Sequence, residues 1–183
     1  MNISGLMLFP GASAGRDNRT LVALDDGLAP LPVRRVYFPG RAAGKRGPEK
    51  ASTAVAHVIS QAEDFAAELG VTTGEIAIGG RSFGGRMCSM AVADGLAVGG
   101  LVLLSYPLHP PGKPETLRID HLPSIGVPTL AVSGEKDPFG TPEELRAHLA
   151  SIGGELTLDF VPGNHSPADP RVVLAVQTWL NRS

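Results

Sequence analysis

Short apolar runs alternate with longer stretches of helical period along this chain. Residues 4–9, "SGLMLF", and 33–38, "VRRVYF", read as strands. Residues 49–70 place Val55, Ile59, Ala62, Phe65, Ala66 and Leu69 on one face and end at a glycine, which predicts an amphipathic helix. A strand over 74–80 and a helix over 83–96 follow, then strands over 100–105 and 127–134. The segment 141–153 predicts a helix opened by a capping box, with Thr141 as cap, Pro142 first and Glu144 completing the box. An alternating run over 155–163 predicts an edge strand, and 167–181 a closing helix, with Asp169 as its cap. The stretch 16–32 has weak periodicity and several breakers, so no helix is expected there. Between 106 and 125 lies a proline-rich segment, long for a connector and therefore a candidate functional loop.

About six strands separated by helices imply crossover connections, hence an α/β fold with a mostly parallel sheet covered on both faces. The expectation is one domain over residues 1–183. In such sheets ligands bind beyond the carboxyl ends of the strands, where the strand order reverses. For the order 2-1-3-4-5-6 that point lies between strands 1 and 3.

Both of those strands lead into a G-x-S-x-G sequence. One is Gly80-Arg81-Ser82-Phe83-Gly84 and the other Gly11-Ala12-Ser13-Ala14-Gly15, where roughly 0.2 matches would arise by chance in this composition. Ser82 stands between a predicted strand and a predicted helix, the context of a nucleophile elbow. Ser13 has only the strand. A serine nucleophile needs a base and an orienting carboxylate, following it in that fold in the order Asp/Glu then His. Asp137 and His165 each fall in a loop at the carboxyl end of a later strand, with Glu135 as the reserve carboxylate. The loop after the first strand would supply an oxyanion donor from Ala12 or a neighbour, beside the amide of Phe83; Pro10 has no N–H to give. Ser13, Arg81 and His109 are candidates to line the site, Arg81 having packing or a salt bridge as its simpler role. Arg86 and the 106–125 loop are further candidates to shape it. His57 lies on a polar helix face and reads as a solvated surface residue.

Composition narrows the picture without changing it. A net charge of −2 gives no bulk reason to expect nucleic acid or an anionic membrane as partner, and 43% hydrophobic with 19% charged residues is ordinary globular composition. Cys88 is the single cysteine, which excludes an internal disulfide and a cysteine-based zinc site and suits a reducing compartment. The N-terminal apolar run is too short for a signal peptide, so a cytoplasmic location is expected. The scattered histidines predict no metal site and no cofactor is called for. The stretch 40–47, "GRAAGKRG", is one residue short of a P-loop and has Arg46 where a serine or threonine would hold magnesium; it reads as a solvated basic loop.

The stretches "GGRSFGGRM", "SYPLHPPGKPETLR", "HLPSIGVPTLAVSGEKDPFGT" and "PGNHS" together resemble a dienelactone-hydrolase-like branch of the α/β-hydrolase superfamily. That branch includes small bacterial hydrolases, a testis-expressed vertebrate homologue and a subunit of the non-specific lethal chromatin complex. The resemblance implies a minimal α/β-hydrolase without a large cap domain, with Ser82 as nucleophile, Asp137 as acid and His165 as base. It departs at the first loop, where Pro10 stands in place of the branch's usual histidine, and in having Ser82 where dienelactone hydrolases proper carry cysteine. Cys88, two turns into the helix, is expected to be buried. The expected activity is hydrolysis of a small-molecule ester or thioester through an acyl-enzyme, with homo-oligomerisation left open. Two other readings remain: a non-catalytic interaction protein on this fold, and an anion-binding protein that uses the Gly11–Gly15 loop as a nest.

Overall fold

A computed structural model describes residues 2–44 and 47–182. The elements in chain order are β1 (Gly5–Phe9), α1 (Arg19–Gly27), β2 (Val33–Arg35), α2 (Pro39–Ala42), α3 (Ala51–Leu69), β3 (Ile76–Arg81), α4 (Phe83–Ala93), β4 (Gly100–Leu104), β5 (Thr129–Gly134), α5 (Pro142–Leu149), β6 (Leu156–Val161) and α6 (Asp169–Leu180). All six strands join one parallel sheet in the order β2-β1-β3-β4-β5-β6. The reversal between β1 and β3 therefore falls where the pattern places it.

β1 and β4 are apolar at every position because helices cover both faces of the sheet. Their alternate residues feed two cores. Met7, Phe9, Ile78, Leu101 and Leu103 pack toward α3, α4 and α5, against Val58, Phe65, Met87 and Leu145. Leu6, Leu8, Val102, Leu104 and Val132 pack toward α1 and α6, against Leu21, Leu24, Val176 and Trp179. β6 lies at the sheet edge, as its alternating pattern suggests. Among the described residues no large cap interrupts the sheet, and no helix is long and apolar enough to cross a membrane.

Three expectations are corrected. The stretch 16–32 does hold a helix: the Asn18 side chain caps α1 by accepting from the Thr20 amide at 3.2 Å, and Leu21 and Leu24 are buried against α6. Asp169 does not cap α6. It is the helix's first residue, and its carboxylate accepts from the Thr20 hydroxyl at 2.6 Å and pairs with Arg19 at 3.2 Å. His57 is half-buried, with Nε2 bonded to the Tyr37 carbonyl at 2.8 Å and its ring edge-on to Phe9. Of the 40–47 loop, Lys45 and Arg46 lie outside the described residues.

Candidate active site

The β3–α4 turn is shaped by lack of room. A Cβ on Gly80 would meet the Phe9 carbonyl, one on Gly84 would lie 2.6 Å from the Pro10 oxygen, and one on Gly85 would lie 2.6 Å from the Gly80 oxygen. Only glycine lets α4 start this close to β1 and its loop. Between those glycines Ser82 takes φ 51° and ψ −115°, a conformation that costs a non-glycine residue about 1–3 kcal/mol and is held here by its surroundings. The Ser82 amide donates to the Leu104 carbonyl at 2.8 Å, which ties the strained residue to the neighbouring strand.

The turns after β5 and β6 bring two more side chains to this point. His165 Nε2 lies 2.9 Å from Ser82 Oγ, and its Nδ1 lies 2.9 and 2.8 Å from the two Asp137 oxygens. A carboxylate can only accept, so Nδ1 carries the hydrogen and Nε2 is left to accept from the serine hydroxyl. Asp137 is 2% exposed. Its Oδ1 also accepts from the Phe139 amide at 2.9 Å and its Oδ2 from the Ser133 hydroxyl at 3.3 Å, which fixes the carboxylate's orientation. Phe139 stacks on the His165 ring, with centroids 4.1 Å apart. Glu135, the reserve carboxylate, is exposed. A hydrogen-bonded serine, imidazole and buried carboxylate can move a proton off the serine and hold the resulting imidazolium.

The cleft beside Ser82 has a volume of about 500 Å³ and brings together Ala12, Ser13, Arg81, Phe83, Phe139 and His165. A Cβ on Gly11 would be 3.8 Å from the Ser82 Cβ, so the first loop lies directly against the serine. Phe83 opens α4, and its N–H is one of the first-turn amides with no carbonyl partner within the helix. Ala12 and Phe83 thus line the same cleft beside Ser82.

The other candidates divide. Arg81 lines the cleft, but its guanidinium donates to the His165 carbonyl and the Ser166 hydroxyl, clamping the loop that carries the imidazole. Burial pushes that guanidinium below its usual pKa range, opposed by the nearby Asp137 charge. His109 is not among the cleft's lining residues: it is buried, bonds the Pro110 carbonyl through Nδ1 at 2.8 Å, and turns Nε2 toward Glu144 at 3.5 Å. Cys88 is fully buried, its thiol donating to the Gly79 carbonyl at 3.3 Å, and burial pushes its pKa well up. The pattern of the sequence singled out neither Phe139 nor Arg118, which also lines the cleft. Their only signals are position: one follows the Asp137 turn and the other sits in the long loop.

The model of an alpha/beta hydrolase domain matches residues 4–172. The chain belongs to the α/β-hydrolase family. Among solved structures, the esterase Est1E from Butyrivibrio proteoclasticus with ferulic acid bound is 19% identical, covering 98% of this chain and 89% of that one, with a TM-score of 0.75. A dienelactone hydrolase from Anabaena variabilis is 17% identical over 97% of this chain and 86% of its own, also at 0.75. The RedJ thioesterase of the Streptomyces coelicolor prodiginine pathway is 18% identical over 95% and 84%, at 0.68. At these identities the likeness is one of fold. Among curated protein sequences, none matches this chain.

Proposed function

We propose that this α/β-hydrolase cleaves a small-molecule carboxylic ester or thioester through an acyl-enzyme on Ser82. The observation that carries the reading is the hydrogen-bonded series from Ser82 Oγ to His165 Nε2 and from Nδ1 to the buried Asp137. In the first step Ser82 Oγ attacks the acyl carbon while its proton passes to His165 Nε2. Asp137 keeps Nδ1 protonated and balances the imidazolium. The Ala12 and Phe83 amides would receive the charge that develops on the carbonyl oxygen, in a fold whose α4 N-terminus favours negative charge. Collapse expels the alcohol or thiol, which takes the proton from Nε2. Water then attacks the acyl-serine, gives its proton to Nε2, and the carboxylic acid leaves as Ser82 is regenerated.

The dienelactone-hydrolase-like branch resemblance supports hydrolysis of this kind, as do the esterase and thioesterase among the similar folds. The single buried Cys88 fits a reducing compartment, and we infer a cytoplasmic enzyme of one domain that needs no metal or cofactor. The test is turnover of a panel of short 4-nitrophenyl esters and acyl thioesters. The account expects a burst of leaving group no larger than one per chain on slowly deacylated substrates, lost in Ser82→Ala. No turnover of any member would leave the interaction-protein and anion-nest readings in its place, and turnover that survives Ser82→Ala would overturn the acyl-enzyme on Ser82.

A further inference from the structure

The cleft contains a charge arrangement that acyl transfer alone does not use. Arg81, Arg86 and Arg118 line it against a single acidic lining residue, Glu49. Arg81 is taken up by the His165 loop. Glu49 accepts from the Gly40 amide, and among the described residues it pairs with no arginine. Arg118 donates to the neutral Pro107 carbonyl at 3.3 Å. The Arg86 guanidinium pairs with no acidic group among the described residues, and its Nε is buried without a hydrogen-bond partner. A guanidinium that clamps nothing is poorly explained as a structural residue.

Its placement is explained by the helix. Arg86 lies one turn into α4, its amide donating to the Ser82 carbonyl at 3.0 Å, and helical side chains lean toward the N-terminus, here toward Ser82. Arg118 approaches from the long loop, which is pinned by the Tyr106 hydroxyl on the Arg118 carbonyl at 2.6 Å and by the Arg118 amide on the Leu108 carbonyl at 2.9 Å. Arg86 and Arg118 line the same cleft, and burial first, then the Arg86 charge, hold the Arg118 guanidinium below its usual range. An anion between them would relieve that cost, and two planar forks suit the oxygens of a carboxylate or phosphate.

We propose that Arg86 and Arg118 form an anion subsite beside Ser82, and that the substrate carries a carboxylate or phosphate a few atoms from the scissile carbonyl. The proposal rests on the hydrolase reading for its substrate, but the subsite can be tested without turnover. Three matched esters suffice: 4-nitrophenyl pentanoate, mono-4-nitrophenyl glutarate and 4-nitrophenyl 4-phosphonobutanoate. Loss of a charge-assisted hydrogen bond predicts a preference for an anionic ester of about tenfold or more in kcat/KM, which Arg86→Gln and Arg118→Gln each reduce by a similar factor, mainly through KM. Arg86→Lys should keep part of it. Whichever anion is preferred tells carboxylate from phosphate. In parallel, calorimetry measures glutarate and 4-phosphonobutanoate binding to Ser82→Ala, expected to weaken about tenfold when Arg86→Gln is added. Equal kcat/KM for neutral and anionic esters, or a ratio and a binding constant that neither arginine variant moves, overturns the subsite while leaving the hydrolase reading intact. Arg86-dependent anion binding with no ester turnover does the reverse.

Discussion

Replacing Asp137 by asparagine changes one atom and one charge, and the structure dictates which way the new amide must turn. The Phe139 amide donates to Oδ1 at 2.9 Å, so that position has to remain an oxygen. The asparagine NH2 therefore occupies the Oδ2 position, where the Ser133 hydroxyl can rotate to accept from it and His165 Nδ1 lies 2.8 Å away. An NH2 aimed at Nδ1 favours the tautomer with hydrogen on Nε2, and that nitrogen then points a donor at Ser82 instead of an acceptor. The wrong tautomer of a serine triad costs about 10⁴-fold in kcat, or about 5.5 kcal/mol of barrier. Binding contacts in the cleft are untouched, so KM should move little. Because the Phe139 and Ser133 bonds both have successors, unfolding free energy should change by no more than about 1–2 kcal/mol. The assay is steady-state hydrolysis of a 4-nitrophenyl ester, with circular dichroism to follow melting. An Asp137→Asn enzyme that stays folded and keeps more than about a tenth of wild-type kcat refutes the assignment of Asp137 as the orienting carboxylate.

Other consequences follow from packing and titration. Gly84→Ala sets a methyl against the Phe9 and Pro10 carbonyls and pushes α4 from the first loop, so it should lower both activity and stability, by about 1–3 kcal/mol for the latter in urea unfolding; a neutral effect would mean that α4 need not start so close to β1. Trp179 is 2% exposed in the α1–α6 core, and Trp179→Ala should cost about 3–5 kcal/mol, a fall in Tm of roughly 6–20 °C by calorimetry. Burial, aided by the Arg86 charge, holds His121 below its ordinary 6.5 while it bonds the Ser89 hydroxyl at 2.8 Å. The unfolded chain takes up that proton first as pH falls, so this contribution is complete above about 6.5 and declines below it. Urea unfolding at pH 7.5 and 5.5 should show a smaller pH difference in His121→Gln than in wild type, and equal differences would refute the assignment.

What could be read in the chain beforehand was whatever depends on local period and on order. Buried parallel strands such as 100–104 are apolar throughout, and α3 shows its face over five turns, so both are visible without a structure. Ser82, Asp137 and His165 could be placed because each sits at a strand's carboxyl end, a position fixed by pattern. Helix α1 was hidden because two leucines and Thr20 are its whole buried face, and the aspartates and glycine after them resemble a loop. The partners of Asp169, His57 and Arg81 were also out of reach, since Thr20 lies 149 residues from Asp169 and the Arg81 clamp spans 84. Those bonds depend on which loops meet, and composition carries no record of that. Arg118 entered the cleft in the same way, through the folding back of a proline-rich loop.

The central claim is that Ser82 is a nucleophile activated by His165, and its most direct measurement is covalent. Intact-mass spectrometry after incubation with a fluorophosphonate, with peptide mapping of the adduct, reports which serine reacts. The account predicts one adduct per chain, on the peptide holding Ser82, absent in Ser82→Ala and strongly slowed in His165→Ala. No adduct on the folded wild-type protein, or an adduct on Ser13 or elsewhere that persists in Ser82→Ala, would contradict it.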